Sequence, residues 1–447
     1  MNFRPYPGKL SLVSLAVSAC IASGVAQGAG FALNELSAGA AGTANAGRAA
    51  NPEDASILSS NPAGLAHLEG SQWTVGGALV IPKADLKNAS GTNTLPAFNN
   101  AGNGDGGDFM SAQFVPSAYF STQLDDKWSA GFGIYVPFAA ATDYDDNFAG
   151  RYLATKTELT NINLQPTIAY KFSDRLSVGV GVFASHMEGT LNQMKRVPSG
   201  NINPFPGYDA KSSMEGDDWS WGWNVGVIWQ PTDRTNIGMS YTSKVDFTVE
   251  GEMTLVGGDG SGGYGPYHKT NGHIDLTLPE KFEIGVTHQL DDRWTLMAGA
   301  LWTRWSQFDE IVAIDDEGNM PGIDPGAPAS YVPENWKDSW AWSVGASYKY
   351  DEQWTLKGGY AYDNSPVRNE WRTARIPDVD REWLTIGAKY QPNQDYVVDM
   401  AYGYMLKKDT KVNESAHPPA GSIDGASFSG DYEMSAHVLM ISLTRRF

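Results

Sequence analysis

The chain has 447 residues, with 32 basic and 51 acidic side chains and a formal net charge of −19. A chain this acidic lacks the basic surface that binds nucleic acid, and a single cysteine excludes a disulfide framework. Beyond the first 28 residues, no apolar run reaches the ~18 residues that a membrane-spanning helix needs.

Residues 1–28 have the composition of a secretory signal peptide. Two basic residues precede the apolar stretch 10–25, and small residues follow at the cleavage position. Cleavage before Ala29 leaves 32 − 2 = 30 basic against 51 acidic residues, a net charge of −21. The alternatives are an uncleaved helical anchor, for which the apolar stretch is short, and lipoprotein processing at Cys20.

Residues 29–70 do not alternate between apolar and polar positions. They are rich in Ala, Gly, Asn and Ser, carry little charge, and contain the sequence Asn61-Pro62-Ala63-Gly64. A barrel of about fourteen strands encloses more space than its own side chains fill. We therefore predict that this segment forms a small helical or irregular plug, or hatch, inside the lumen. A disordered periplasmic tail is the alternative.

Residues 71–447 show the rhythm of a transmembrane β-barrel, in which short turns on one rim alternate with long loops on the other. Apolar residues alternate with small or polar ones beside each turn, often beginning with Trp, as an aromatic girdle does. The chain ends at Phe447. In a soluble β-sandwich, the alternative, the apolar faces would point inward. The short turns are Asp125–Trp128, Ser173–Leu176, Thr232–Arg234, Asp291–Trp294, Asp351–Trp354 and Pro392–Asp395.

The predicted fold is thus an all-β membrane protein, a roughly 14-stranded antiparallel transmembrane β-barrel with both termini in the periplasm. The predicted strands are 71–88, 109–124, 127–141, 152–172, 176–194, 217–231, 235–254, 270–290, 293–314, 336–350, 353–366, 380–392, 395–410 and 430–447.

The long loops between these strands carry much of the acidic charge, including Asp315-Asp316-Glu317. We interpret the charge as solvation of exposed loops; cations that bridge to lipopolysaccharide are the alternative, and no loop has EF-hand spacing. The glycine-rich stretch 257–263 lacks the Lys-Ser/Thr ending of a phosphate loop and is interpreted as a flexible tip.

Proline interrupts three successive predicted strands, at Pro116, Pro137 and Pro166. Proline cannot donate to a β-ladder and is tolerated at edges and bulges. If the second and third strands fold about the turn at Asp126, paired residue numbers sum to about 252, which places Pro116 and Pro137 nearly opposite each other. We predict an inward kink of the third strand that opens a gap in the wall. An irregularity above the membrane plane is the alternative.

No catalytic or metal-binding pattern is evident, and no cofactor is expected. The seven histidines are scattered without the spacing of a zinc site. Ser185 and His186 are neighbours on a strand and point to opposite faces, and no Gly-x-Ser-x-Gly occurs. An outer-membrane lipase or protease is therefore the distant alternative to a non-enzymatic protein.

From Ala29 to Phe447 the chain resembles the FadL family of outer-membrane long-chain fatty acid transporters. The resemblance rests on the order of many blocks more than on any single one. The blocks are Ala29–Glu35, Asn61–Ala63, Gly133–Phe138, Asn163–Tyr170, Gly222–Gly226, Gln230–Asp233, Leu278–Glu280, Ala361–Val367, Arg372–Thr373 and Ile376–Arg381.

The resemblance implies a monomer that takes up long-chain fatty acids in an apolar groove among the loops, binds them near the hatch, and releases them sideways at the kinked third strand. It implies that Phe31 contacts the ligand pocket and that Asn61, Pro62 and Ala63 belong to the hatch. Four residues are implied, or predicted from the proline register, to form the lateral gap. They are Pro116, Gly133, Pro137 and Phe138.

A fatty acid tail gains ~0.8 kcal/mol per buried methylene, and its carboxylate favours a basic partner within the tunnel. Lys357 faces the lumen by strand alternation, and Arg372 and Arg381 flank the block Ile376–Asp378. These three are the candidate carboxylate partners; the alternative is that they form ion pairs within the lumen. Uptake of aromatic hydrocarbons and a water-filled porin remain alternative functions.

Overall fold

The computed structural model describes residues 29–92, 104–197, 208–258, 264–417 and 425–447. The predicted signal peptide, with Cys20, lies outside these residues, as does most of the glycine-rich tip. Within the described part of the chain, no helix is long and apolar enough to cross a membrane.

Eighteen β-strands in the described residues form one sheet that closes on itself, because the last strand pairs with the first. Four wall strands are each divided in two: β7 continues into β8, β9 into β10, β11 into β12 and β13 into β14. Eighteen elements less four divisions give fourteen antiparallel wall strands, which confirms the predicted fold class. The strands are β1 (Ser71–Thr92), β2 (Gln113–Gln123), β3 (Trp128–Asp143), β4 (Lys156–Ser173), β5 (Leu176–Val197), β6 (Tyr208–Thr232), β7 (Thr235–Thr242), β8 (Val245–Gly258), β9 (Tyr264–Leu278), β10 (Lys281–Gln289), β11 (Trp294–Thr303), β12 (Glu310–Asp315), β13 (Ala327–Pro333), β14 (Ser339–Lys349), β15 (Trp354–Asp363), β16 (Arg381–Tyr390), β17 (Tyr396–Ser415) and β18 (Ser427–Arg446).

Two details of the predicted strands are wrong. The strands 235–254, 270–290 and 293–314 were predicted as continuous, but each is interrupted, and β13, which precedes the predicted strand 336–350, was not predicted. The second of these breaks falls at Pro279, which cannot donate to a ladder. Several strands also extend further toward the long loops than predicted, so that the loops are shorter.

One rim of the barrel, here called the turn rim, carries the six short turns. In the first of them Asp125 Oδ1 accepts hydrogen bonds from the amides of Lys127 and Trp128, both at 2.8 Å. Asp291, Asp351 and Asn393 close three further turns in the same way. The acidic residues that mark these turns in the sequence therefore shape the backbone. The opposite rim is called the loop rim.

Side chains alternate along the wall strands between the lumen and the outside. On β1, Gln72 and Thr74 are buried, whereas the intervening Trp73 and the following Val75 are half exposed. Apolar side chains on the outside form the band that a barrel presents to lipid. A soluble sandwich, whose apolar faces are buried, is excluded. Other exposed members of the band are Leu439, Ile441, Leu443, Leu296, Val344, Leu384 and Ile386.

The ladder between β2 and β3 stops halfway up the wall. It runs from Gln123↔Ser129 to Ala118↔Ile134, with the predicted sum of 252, and ends before the prolines. Pro116 pairs only with β1, and the β3–β4 register shifts between Tyr135 and Phe138. Beyond Ile134, the edge of β3 that faces β2 therefore has no strand partner among the described residues.

Residues 29–70, here called the N-terminal segment, lie inside the barrel. They contain two short helices, α1 (Ala38–Ala41) and α2 (Ile57–Ser60), and 3-10 turns at Arg48–Ala50 and Pro62–His67. Wall glycines let the backbone of the segment approach closely. A Cβ atom at Gly179, Gly238 or Gly359 would overlap the segment backbone at Pro62, Ala49 or Thr43, respectively.

Residues 364–380, here called the loop-rim segment, follow β15 and fold back into the lumen. Every residue from Arg372 to Val379 is buried. Hydrogen bonds fix the segment to the wall. Among them, Tyr144 Oη donates to the Ala374 carbonyl at 2.8 Å, and Thr142 Oγ1 donates to the Arg375 carbonyl at 3.2 Å. The lumen is thus filled from both ends of the barrel.

Candidate functional site

The first residues of the N-terminal segment complete the free edge of β3. The Leu33 amide donates to the Pro137 carbonyl, and the Ala139 amide donates to the Phe31 carbonyl, both at 2.9 Å. Residues 31–33 therefore form a short strand-like contact where β2 is missing. This contact places the predicted pocket residue Phe31 beside the predicted kink residues Pro137 and Phe138.

Phe31 is fully buried in a cluster of aromatic rings, here called the inner aromatic cluster. Its ring centroid lies 4.8 Å from Trp305, 5.2 Å from Phe308, and 5.8 Å from both Phe138 and Trp336. Edge-to-face and tilted contacts of this kind add to the stabilisation that burial gives. The rings come from three distant parts of the wall, so Phe31 ties the start of the segment to them.

Two buried carboxylates hold the nitrogen atoms at the start of the N-terminal segment. The Ala29 nitrogen donates to Asp363 Oδ2 at 2.8 Å, and the Gly30 nitrogen donates to Asp378 Oδ2 at 3.0 Å. Gly30 has φ +67°, and a Cβ atom there would lie 2.9 Å from the Trp305 ring, so glycine is required. The segment therefore has a defined starting position between the wall and the loop-rim segment.

A cavity of about 680 Å³, here called the inner pocket, lies beside the kink of β3. Apolar, neutral polar and three charged side chains line it. The apolar residues include Leu33, Leu36, Tyr135, Pro137, Phe138, Phe183, Val245, Leu278 and Leu301; the neutral polar ones are Ser59, Ser60, Asn161, Asn163, Ser185, Ser240, Thr242 and Ser243; the charged ones are Arg48, Lys281 and Glu283.

Lys281 is the cation of the inner pocket that has no anionic partner. Arg48 Nε pairs with Glu283 Oε1 at 2.8 Å. Among the described residues, the Lys281 ammonium makes no hydrogen bond or ion pair. It lies over the face of the Phe138 ring, with Nζ 4.0 Å from the ring centroid, in a cation–π contact. Sequence reasoning missed this residue, although it follows the Leu278-Pro279-Glu280 block and shares the inward face of β10 with Glu283.

The three residues predicted to bind a carboxylate of the ligand also contact other groups of the protein. Lys357 Nζ contacts Glu53 at 2.7 Å and Asp399 at 3.2 Å, so it anchors the N-terminal segment. Arg381 pairs with Asp378. Arg372 Nε donates to the Asp378 carbonyl at 2.9 Å and has no carboxylate within 4.0 Å among the described residues. Of the three, only Arg372 lacks a counterion.

The predicted hatch residues secure the N-terminal segment to the wall and do not line the inner pocket. Asn61 Nδ2 donates to the carbonyls of Ala49 and Val227, at 2.7 and 3.1 Å. Pro62 begins a 3-10 turn, and the Ala63 carbonyl accepts from Ser177 Oγ at 3.1 Å.

Gly133, predicted at the lateral gap, lies on β3 just before the point where the ladder ends. A Cβ atom there would lie 2.9 Å from both Leu58 Cδ1 of the N-terminal segment and the Tyr119 ring of β2. Gly133 therefore allows the segment and the wall to approach each other beside the kink.

Residues 334–338, between β13 and β14, hold one ring of the inner aromatic cluster in place. Trp336 Nε1 donates to Glu334 Oε2 at 2.7 Å. Complete burial raises the pKa of the Glu334 carboxyl to about 8, because the ionised form loses its hydration. Among the described residues, no cluster of His, Cys, Asp and Glu side chains is placed to hold a metal ion.

Comparison with known proteins places these features in a wider group. A sequence model of the family described as "outer membrane protein transport protein (OMPP1/FadL/TodX)" matches residues 19–447. The chain is 29% identical over 435 residues to the long-chain fatty acid transport protein of Escherichia coli O6:H1, covering 92% of this chain and 94% of that protein.

Solved structures share the architecture. A FadL homologue of Pseudomonas aeruginosa superposes with a TM-score of 0.84 at 25% identity, covering 94% of this chain and 100% of that one. The toluene transporter of Ralstonia pickettii superposes with a TM-score of 0.68 at 20% identity, covering 94% and 99%, which shows a common fold.

Proposed function

The chain belongs to the outer membrane protein transport family (OMPP1/FadL/TodX), and from that membership we propose that it carries long-chain fatty acids through the outer membrane of a Gram-negative bacterium. Two of the similar proteins are named for transport of hydrophobic compounds: long-chain fatty acids in one case and toluene in the other. The relative from Escherichia coli is named for fatty acids. The inner pocket supplies a chemical reason for the same substrate class here.

The observation that carries the proposal is the unpaired Lys281 ammonium in the inner pocket. A long acyl chain gains ~0.8 kcal/mol for each buried methylene, and its carboxylate would give Lys281 a charge-assisted hydrogen bond. A neutral hydrocarbon would gain the first contribution only and would leave the buried ammonium uncompensated. The pocket therefore favours an apolar molecule with one anionic end.

We propose that the fatty acid leaves the inner pocket through a lateral gap formed by Pro116, Gly133, Pro137 and Phe138. The support is the end of the β2–β3 ladder at Ala118↔Ile134, beyond which residues 31–33 cover the edge of β3 at Pro137 and Ala139, and Phe109 bonds to it at Asp143. Withdrawal of Phe31 and Leu33 would uncover that edge. In lipid, unpaired backbone groups are tolerated where they face protein or a cavity.

We propose that residues 29–70 act as a hatch that stays in place while only its first residues move. Lys357 holds Glu53 from the wall, and Asn61 bonds to β6. The contacts of residues 29–33 lie next to the inner pocket and to the free edge of β3. Movement confined to this end would connect the pocket to the gap without opening a water-filled pore.

We propose that removal of residues 1–28 completes the site. Cleavage before Ala29 would turn the nitrogen that donates to Asp363 into a charged α-ammonium group. The hydrogen bond would then become an ion pair in a buried position. In this arrangement the turn rim, with both chain ends, faces the periplasm, and the protein acts as a monomer.

The second candidate function is uptake of aromatic hydrocarbons, which the five rings of the inner aromatic cluster favour. The decisive experiment is uptake of labelled oleate and labelled toluene by cells that lack their own fatty acid channel. The intact chain is compared with Pro137→Ala and with a deletion of residues 31–36. Oleate uptake that falls in both variants supports the fatty acid route; toluene uptake without oleate uptake assigns the protein to hydrocarbons.

A further inference from the structure

Arg375, in the loop-rim segment, is a second buried cation without a counterion. Its side chain is almost wholly buried. Nη2 donates to Gln193 Oε1 at 2.7 Å, and Nη1 makes long contacts of 3.4 Å to Thr157 Oγ1 and to the Asn192 carbonyl. Nε has no hydrogen-bond partner, and no carboxylate of the described residues lies within 4.0 Å of the guanidinium.

Two carboxylates near Arg375, one close in the chain and one on β17, are bonded to other groups. Asp378 pairs with Arg381 and accepts from Ser365 Oγ at 2.6 Å. Glu414 accepts from the Ala374 amide at 2.7 Å. A buried guanidinium without an anion in direct contact is costly, because its hydration is lost and more distant charges replace it only in part. Glu414 and Glu334 attract Arg375 from beyond ion-pair distance. The guanidinium therefore lacks a carboxylate in direct contact.

Arg375 lines a separate cavity of about 580 Å³, here called the middle cavity. The rest of its lining is mostly apolar: Ile376 and Val379 from the loop-rim segment, Ala140 from β3, and Met405 and Met434 from β17 and β18. The exposed Lys83 and the ion pair between Asp378 and Arg381 also line the cavity. Arg375 is therefore its buried cation that has no carboxylate within 4.0 Å among the described residues. Like the inner pocket, the middle cavity combines apolar side chains with such a cation. Both fit an acyl chain with a carboxylate at one end.

Arg375 and Lys281 both lie beside β3. Thr142 of β3 bonds to the Arg375 carbonyl, and Phe138 of β3 lies under the Lys281 ammonium. Thr142 is four positions beyond Phe138 on β3, a distance of ~13 Å. Arg375 lies on the loop-rim side and Lys281 lies beside the kink, so an anion that moves inward along β3 would meet Arg375 first.

We propose that Arg375 forms an intermediate anion site, in which the carboxylate of the fatty acid rests before it reaches Lys281. The inference rests on the proposed fatty acid function and adds a site to it. Arg372, which also has no carboxylate within 4.0 Å, lines a cleft at the loop rim. Arg372, Arg375 and Lys281 thus line three different cavities, and in the proposed route each transfer exchanges one of these cations for the next.

The test is photo-crosslinking of the full protein with a C18 fatty acid that carries a diazirine beside its carboxyl group. Mass spectrometry locates the labelled peptides. The unmodified protein is expected to be labelled at two places, near Ala140 and Ile376 in the middle cavity and near Leu278 in the inner pocket. Arg375→Gln should lower labelling of the middle cavity roughly tenfold, the loss expected for one charge-assisted contact.

Two controls keep the outcome clear. Lys411→Gln removes an exposed cation that pairs with Asp431 on the outside and should leave both labels unchanged. A fatty alcohol with the same diazirine tests the unmodified protein, so the result does not depend on folding of the variant; the alcohol should label the middle cavity at most one tenth as strongly.

Labelling of the inner pocket alone, or labelling of the middle cavity that is equal for acid and alcohol, would overturn the intermediate site and leave the proposed function intact. Absence of both labels, together with absence of oleate uptake, would remove the proposed function and the intermediate site with it.

Discussion

The ammonium nitrogen of Lys281 lies 4.0 Å from the centroid of the Phe138 ring, at the point where β3 leaves its ladder with β2. One residue of the pair carries the charge of the inner pocket, and the other belongs to the kink. A ligand that binds this cation is therefore held against the free edge of the wall.

Replacing Lys281 with Met should weaken oleate binding about tenfold or more, because a charge-assisted hydrogen bond is lost while the apolar volume is kept. Binding of oleyl alcohol should change little. Titration of the purified barrel with both ligands measures the difference. Lys244→Met is the matched control, since Lys244 lies outside the barrel and pairs with Asp246. Equal losses for acid and alcohol would contradict a role in recognising the carboxylate.

Replacing Asp363 with Asn should loosen the start of the N-terminal segment, because the partner of the Ala29 nitrogen then lacks its charge. In a chain processed before Ala29, we expect the α-amino group to react faster with an acylating reagent in the variant than in the unmodified protein. Mass spectrometry of the N-terminal peptide gives the rates. Asp292→Asn, at an exposed turn, should leave the rate unchanged; a rate equally slow in both variants would speak against the ion pair.

Gly358 and Gly359 are adjacent on β15 and should respond differently to substitution by Ala. A Cβ atom at Gly359 would overlap the backbone of Thr43, whereas one at Gly358 would lie 3.8 Å from the Thr385 carbonyl. Overpacking of this kind costs ~1–3 kcal/mol. Gly359→Ala should therefore lower the temperature at which the folded barrel unfolds in a gel-shift assay. Similar unfolding temperatures for the two variants would show that the segment shifts without cost.

Glu334 should make the protein less stable as the pH rises. Its pKa in the folded protein is raised from 4.5 to about 8 by burial, so the folded state binds a proton that the unfolded state has released. The contribution is fully present below pH 4.5 and is lost as the pH approaches about 8. Glu334→Gln keeps an acceptor for Trp336 Nε1 and should flatten the pH dependence of the unfolding temperature between pH 5 and 8. If the variant shows the same change of unfolding temperature with pH, groups other than Glu334 cause that change.

The architecture could be predicted because local chemistry repeats in the sequence. Turn residues such as Asp125 fix the short connections, and alternation fixes which face meets lipid. Three predicted strands contain interruptions that were missed. One falls at Pro279, and another depends on a side chain that replaces a ladder bond. At the latter, Ser243 Oγ accepts from the Trp223 amide at 2.9 Å, a contact that no local pattern announces.

The charged residues of the site were harder to predict than the wall. Strand alternation places Lys357 and Lys281 in the lumen equally well. The two lysines differ in their ion pairs. Lys357 pairs with Glu53, which is 304 residues away in the sequence, whereas Lys281 has no carboxylate within 4.0 Å among the described residues. The same distinction separates Arg381 from Arg375. Pairing across the lumen is a property of the closed barrel and cannot be deduced from either strand alone.

The glycines that line the lumen beside residues 29–70 make the sequence of the wall and the sequence of the N-terminal segment depend on each other. At Gly179, Gly226 and Gly238 the wall has no side chain because the backbone or Asn61 of the N-terminal segment occupies that volume. A larger residue at such a wall position is acceptable only if the opposing loop of the segment changes with it. Hatches exchanged between relatives should therefore fit only where the glycines of the recipient wall match, so that the two parts evolve as a pair.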